Sequence, residues 1–264
     1  EFLAEAQLTR TDCIAALGGG VTGDMAGFAA GCYLRGIRCV QLPTTLLSAV
    51  DSSVGGKTAV DLRAGKNLAG AFYQPSLVLC DPKALDTLPD DIFADGCAEV
   101  IKYGIINDRP LFDKLKDGIK ANIDDVIENC VKNKRDIVNV DERDTGVRQL
   151  LNLGHTIAHT IEQNSGFEIS HGSAVAIGMY YVGRISNRMG YLPDSELDEI
   201  KSILELYNLP TKCPYTPKEI FKVAVSDKKV GSGSINLVIP YSIGDTRLYK
   251  VTINELPKIL EMGV

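Results

Sequence analysis

The stretch Gly18-Gly19-Gly20-Val21-Thr22-Gly23-Asp24 limits most what this chain can fold into, because of what flanks it. Residues 13–17 (Cys-Ile-Ala-Ala-Leu) precede it, a short apolar run of the kind that fills a buried parallel strand. Helical periodicity follows from Met25 to Leu34, and further apolar runs come at 39–42 (Cys-Val-Gln-Leu) and 77–80 (Leu-Val-Leu-Cys). Strand, glycine turn, helix, strand is the order of a βαβ unit and predicts a Rossmann-like portion. Positions 18, 20 and 23 satisfy G-x-G-x-x-G, in which glycines let a backbone approach closely and a helix N-terminus offers free N–H groups to a pyrophosphate. The ribose-binding acid expected about 20 residues on would fall near Pro43, and none is there. A plain glycine-rich strand-to-helix turn is the competing reading.

From about Asp90 the periodicity becomes helical, at 91–106, 111–117, 124–140, 149–164, 172–189 and 195–207. An antiparallel pair is expected at 235–240 and 247–252, across the turn from Ser242 to Asp245. The fold class expected is α/β plus all-α. A Rossmann-like nucleotide-binding domain over 1–92 precedes a mostly helical, metal- and substrate-binding domain over 93–264.

A net charge of −6 argues against nucleic acid or an anionic membrane as the main partner. No apolar run approaches the length of a membrane-spanning helix, and the N-terminus lacks a basic signal-peptide start. Seven cysteines, odd in number and without a C-x-x-C, read as small buried hydrophobes in a reducing compartment, so the cytoplasm is expected.

All three histidines fall in one stretch, at His155, His159 and His171. His155 and His159 share a helix face, and His171 opens the next apolar run. Thr156 stands where the zinc-protease motif needs its glutamate, so that motif is absent. Catalytic zinc takes three protein ligands plus water or substrate, and an anionic ligand is missing from the set. Glu99 and Lys102 lie one turn apart on an apolar helix; they read either as an ion pair or as a third ligand with a neighbouring cation. Lys57, between Gly56 and Thr58, and Lys66, before Asn67, lie outside any solvated charge run. With Lys134, Arg148 and Asn152 they give an acidic protein a basic pocket, suited to a small, strongly anionic substrate.

The segments Gly-Gly-Gly-Val-Thr-Gly-Asp, Leu-Pro-Thr-Thr-Leu-Leu, Asp-Ser-Ser-Val-Gly-Gly-Lys-Thr, Gly-Lys-Asn, Ala-Glu-Val-Ile-Lys-Tyr-Gly and Leu-Asn-Leu-Gly-His-Thr-Ile-Ala-His, in this order, resemble the 3-dehydroquinate synthase family from about Asp12 to Lys229. The resemblance implies a lyase of the shikimate pathway of aromatic amino acid biosynthesis, converting the sugar acid phosphate DAHP to 3-dehydroquinate and phosphate. NAD is used catalytically, with one divalent metal, zinc or cobalt. Transient oxidation, phosphate elimination, reduction and intramolecular aldol closure follow one another with no net redox.

By the same resemblance Glu99, His155 and His171 are the metal ligands. NAD falls to Gly20, Val21, Thr22, Gly23, Asp24, Thr44, Thr45, Lys57, Lys66, Leu85, Asp86 and Thr87. Substrate falls to Arg35, Lys57, Asn67, Lys102, Lys134, Arg148, Asn152 and one of Lys228 or Lys229. Asp51 is implied near the reacting hydroxyl, and His159 is the candidate proton shuttle. The family is commonly dimeric, so a homodimer is expected, with Arg35 acting from a neighbouring subunit.

Three departures stand out. The family has an α/β region ahead of the glycine turn that helps hold the adenosine half of NAD; this N-terminal segment is expected to be lacking, which would also account for the absent ribose acid. Ser173 and Ile92 stand where acids are common, and Asp144 replaces a common Glu. Neighbouring readings are another sugar phosphate cyclase, such as 2-deoxy-scyllo-inosose synthase, a polyol dehydrogenase of the glycerol dehydrogenase kind, and a non-enzymatic cofactor-binding module.

Overall fold

The computed structural model describes residues 1–63, 65–227 and 233–264. The chain divides into two compact units: Glu1–Gly96 with Ile123–Arg143, and Cys97–Asn122 with Asp144–Val264. Mixed α/β structure in the first and mainly helical structure in the second is the fold class expected.

In the first unit a short helix α1 (Phe2–Glu5) precedes strand β1 (Cys13–Gly18), helix α2 (Gly20–Cys32) and strand β2 (Arg38–Pro43). Next come an antiparallel hairpin, β3 (Lys57–Leu62) and β4 (Gly65–Phe72), and a two-residue strand β5 (Leu77–Val78). The parallel sheet has the order β1-β2-β5, with Cys13 opposite Arg38 and Gly18 opposite Pro43. Helix α2 is the β1–β2 crossover that the βαβ reading requires. It starts at Gly20, not Met25, so the glycine motif forms its first turn. The helix lies close to its neighbours because its packing face is glycine: a Cβ on Gly23 would come within 2.6 Å of Gln41 Oε1, and one on Gly27 within 2.6 Å of Thr58 Cγ2. The β3–β4 hairpin is new. Its half-exposed strands and the interior glycine at 70 hide the two-residue alternation that marks a strand.

Helix α3 (Asp90–Asn107) enters the second unit at Cys97, and α4 (Arg109–Lys114) follows. Helix α5 (Ile123–Val140) belongs to the first unit; it buries Val126, Ile127, Cys130, Ile137 and Val138, and Lys134 occupies the same apolar stripe. The second unit continues with α6 (His155–Asn164), α7 (His171–Arg188), α8 (Asp194–Leu206) and α9 (Pro217–Asp227). It ends with an antiparallel pair, β6 (Ser234–Ser242) and β7 (Asp245–Thr252), and helix α10 (Leu256–Glu261). The helical run expected over 149–164 is split into a 3-10 turn, Val147–Asn152, and α6, because Gly154 takes a left-handed φ of 78°.

Residues 96–106 of α3 are all buried, the pattern of a helix running through a core. Ile157 and Ile161 of α6 and Val175, Val182 and Ile185 of α7 are buried in the same unit. Helices α6 and α7 meet at two glycines. A Cβ on Gly154 would lie 2.7 Å from the Met179 backbone nitrogen, and one on Gly178 would run into the Gly154 carbonyl. Only glycine permits that approach.

Candidate metal centre

Glu99 and Lys102 sit where α3 has no access to water, with exposures of 0% and 2%. A charge in such a place must be paired. The two pair with each other, one turn apart, and the second oxygen of Glu99 faces two imidazoles. Glu99 Oε1 lies 3.2 Å from His171 Nε2 and 3.5 Å from His155 Nε2. One ligand atom from each of the three residues falls within 4.8 Å of the other two. His155 opens α6 and His171 opens α7, so the glycine contact between these helices brings the rings together, centroids 5.4 Å apart.

This donor set suits a divalent ion. A tetrahedral zinc site with bonds of about 2.0–2.1 Å has ligand atoms roughly 3.3 Å apart along each edge, and the two edges at Glu99 are 3.2 and 3.5 Å. Two imidazoles and one carboxylate favour zinc or cobalt over magnesium or calcium, and three ligands leave a position open. The Nδ1 atoms point outward: that of His155 lies 3.1 Å from the Leu153 carbonyl, and that of His171 lies 3.6 Å from Glu162 Oε1. The rings differ electrically. Burial pushes His155 down to about 3, against the pull of Glu99. Burial presses His171 down too, but the Glu162 and Glu99 carboxylates outweigh it and raise it to about 10.

Other expected residues belong to the same unit. His159 is exposed, its ring edge-on to His155 with centroids 5.8 Å apart. Arg148, 2% exposed, and half-buried Asn152 lie on the 3-10 turn that leads into α6. Ser173 accepts a 2.8 Å hydrogen bond from Ser170 at the start of α7, and Asp144 has φ 59°. Lys228 and Lys229 lie outside the described residues. Glu162, 6% exposed, was not singled out by sequence reasoning; its signal was its place seven residues after His155, on the same helix face.

In the first unit, Asp24, Lys57 and Asn67 line a cavity of about 320 Å³ together with Thr58, Leu68 and Phe72. The Asp24 carboxyl is raised to about 6, chiefly by burial; Asp51 and Asp61 add to the rise and Lys134 opposes it. Lys134 donates to the Asp51 carbonyl oxygen at 2.7 Å and pairs with the Asp51 carboxylate, so these two expected site residues do meet. Thr45 exchanges hydrogen bonds with Ser48, and its methyl would lie 3.2 Å from a Cβ on Gly19, which places it against the glycine turn. Thr44 is half-buried after β2, Leu85 is buried, and Asp86 and Thr87 are exposed. Lys66 and Arg35 are exposed, with Arg35 at φ 66°, and Ile92 is 43% exposed.

Residues 1–95 match the model of the 3-dehydroquinate synthase N-terminal region, and residues 96–230 that of the C-terminal region. The chain belongs to the 3-dehydroquinate synthase family. The expectation that the family's N-terminal segment is lacking is corrected by the match of the N-terminal model over residues 1–95. It rested on the short stretch of chain before the glycine motif, and position in the chain is a poor measure of which family region is present. Over 258 residues the chain is 47% identical to a 3-dehydroquinate synthase of Clostridium perfringens, covering 95% of this chain and 74% of that one. Among solved structures it is similar to a 2-epi-5-epi-valiolone synthase from Streptomyces hygroscopicus with NAD+ and Zn2+ bound, at 29% identity and TM-score 0.89, covering 99% of this chain and 76% of that one. It is also similar to a 2-deoxy-scyllo-inosose synthase complexed with carbaglucose-6-phosphate, NAD+ and Co2+, at 27% identity and TM-score 0.87, covering 100% and 77%. No helix among the described residues is long and apolar enough to cross a membrane.

Proposed function

We propose that this chain acts as a 3-dehydroquinate synthase, turning 3-deoxy-D-arabino-heptulosonate 7-phosphate into 3-dehydroquinate and phosphate, with NAD and one divalent metal as cofactors. The observation that carries the reading is the convergence of Glu99, His155 and His171 in a member of this family. When bound, the metal would supply Lewis acidity toward a substrate hydroxyl, and NAD a reversible hydride acceptor. In the second unit Glu99, His155 and His171 hold the metal. Lys102 offsets the charge of Glu99 and, with Arg148 and Asn152, binds the anionic substrate. His159, exposed and adjacent to His155, moves protons to and from solvent.

In the first unit we assign NAD to residues 1–92, through Gly20 to Asp24, Thr44, Thr45, Lys57, Lys66 and Leu85 to Thr87. Arg35, Asn67, Lys134 and one of Lys228 or Lys229 are assigned to substrate, with Asp51 holding Lys134 in place. We further place the protein in the cytoplasm as a homodimer, with no nucleic acid or membrane partner.

Phosphate release from the heptulosonate phosphate tests this directly, measured with NAD and zinc or cobalt, with and without a chelator. Stoichiometric phosphate with no accumulating NADH, abolished by the chelator, is expected. No release under these conditions refutes the reading; turnover of glucose 6-phosphate instead would mark a different sugar phosphate cyclase.

A further inference from the structure

Two imidazoles that serve one ion need their rings held so that a single nitrogen faces it. His155 has its outer nitrogen against a carbonyl of its own chain segment, Leu153, at 3.1 Å. His171 has no such local hold. It is the first residue of α7, and its N-cap residue Ser170 makes no capping hydrogen bond. Its side chain is 33% exposed against 13% for His155. What faces its Nδ1 is the carboxylate of Glu162, 3.6 Å away and 7% exposed. A buried carboxylate is costly unless it meets a cation or a donor, and the Nδ1–H of a ligand histidine is such a donor.

We propose that Glu162 is the positioning residue of the metal centre: its carboxylate engages His171 Nδ1–H and commits Nε2 to the ion. This rests on the metal-centre reading above. Helix α6 then supplies both one ligand, His155, and the group that orients the other. A small rotation of either side chain closes 3.6 Å to hydrogen-bond distance. The two ligand imidazoles are made unequal by the charge of their outer partners, a neutral carbonyl for His155 and an anion for His171. The anion makes His171 the more basic donor and adds a negative charge close to Glu99, which favours a divalent ion over a monovalent one.

The test uses the whole protein, loaded with zinc for affinity and with cobalt for absorption. Glu162→Gln keeps size and an acceptor but loses the charge; Glu162→Ala loses both. Zinc affinity, read by competition with a chromophoric chelator, should fall about 10–100-fold in Glu162→Gln and at least as far in Glu162→Ala. The cobalt spectrum should shift in both. With only three histidines, ¹⁵N-histidine NMR of the zinc-loaded parent resolves each ring. His171 should carry a slowly exchanging Nδ1–H. Parent-like affinity and spectrum in Glu162→Gln overturn the proposal and leave the metal centre standing. No zinc binding by the parent overturns both. Should the variants not fold, a His171 Nδ1 that lacks its proton while zinc occupies Nε2 is decisive against it.

Discussion

Replacing Gly154 by alanine tests whether the glycine contact between α6 and α7 builds the metal centre. Two costs arise. A non-glycine residue at φ 78° is strained by about 1–2 kcal/mol. The new Cβ would also lie 2.7 Å from the Met179 nitrogen and 2.9 Å from the Val175 carbonyl oxygen. Backbone atoms inside a helix cannot turn aside as a side chain can, so overpacking adds about 1–3 kcal/mol. The total is about 2–5 kcal/mol. Gly166, at φ 61° with nothing within 4 Å of its Cβ position, provides the internal control. Gly166→Ala carries the strain but no collision, so it should cost about 1–2 kcal/mol. Urea unfolding of the metal-free proteins measures both. Because His155 follows Gly154 directly, pushing α6 off α7 should also weaken zinc binding about tenfold or more in Gly154→Ala and leave it intact in Gly166→Ala. Equal destabilisation by the two substitutions, or unaltered zinc affinity in Gly154→Ala, would refute the reasoning.

Asp24→Asn should stabilise the protein near pH 8. The folded carboxyl is raised to about 6 from an ordinary 3.8, so its favourable contribution is complete below the unfolded value and is lost as pH rises through about 6. The gain, about 1–2 kcal/mol after solvent screening, should shrink as pH falls through 6 toward 4; urea midpoints across that range check it. Removing one partner of the Lys134–Asp51 pair should cost about 3 kcal/mol, since it strands the other in a poorly hydrated place. The double variant Lys134→Met with Asp51→Asn should be more stable than Lys134→Met alone, and a double-mutant cycle in urea that shows simple additivity would contradict the pairing.

The βαβ opening, the positions of the long helices, the last hairpin and the clustered histidines were legible from the sequence, because each is a local pattern of apolar period, glycine turn or i,i+4 spacing. The true start of α2 was not. Glycines read as a loop until they are seen as the packing face of a helix against Gln41 and Thr58. The β3–β4 hairpin escaped because its strands are half-exposed and carry interior glycine.

Residue chemistry alone therefore determined the repertoire: which side chains could ligate a metal, bind an anion or flank a nucleotide. Tertiary structure decided which of them act together. Glu99 and His171 are 72 residues apart, and Asp51 and Lys134 are 83 apart. No local pattern connects such pairs. Their meeting depends on helices that close on bare glycine backbone and on burial that leaves a charge no partner but protein, and both are properties of packing.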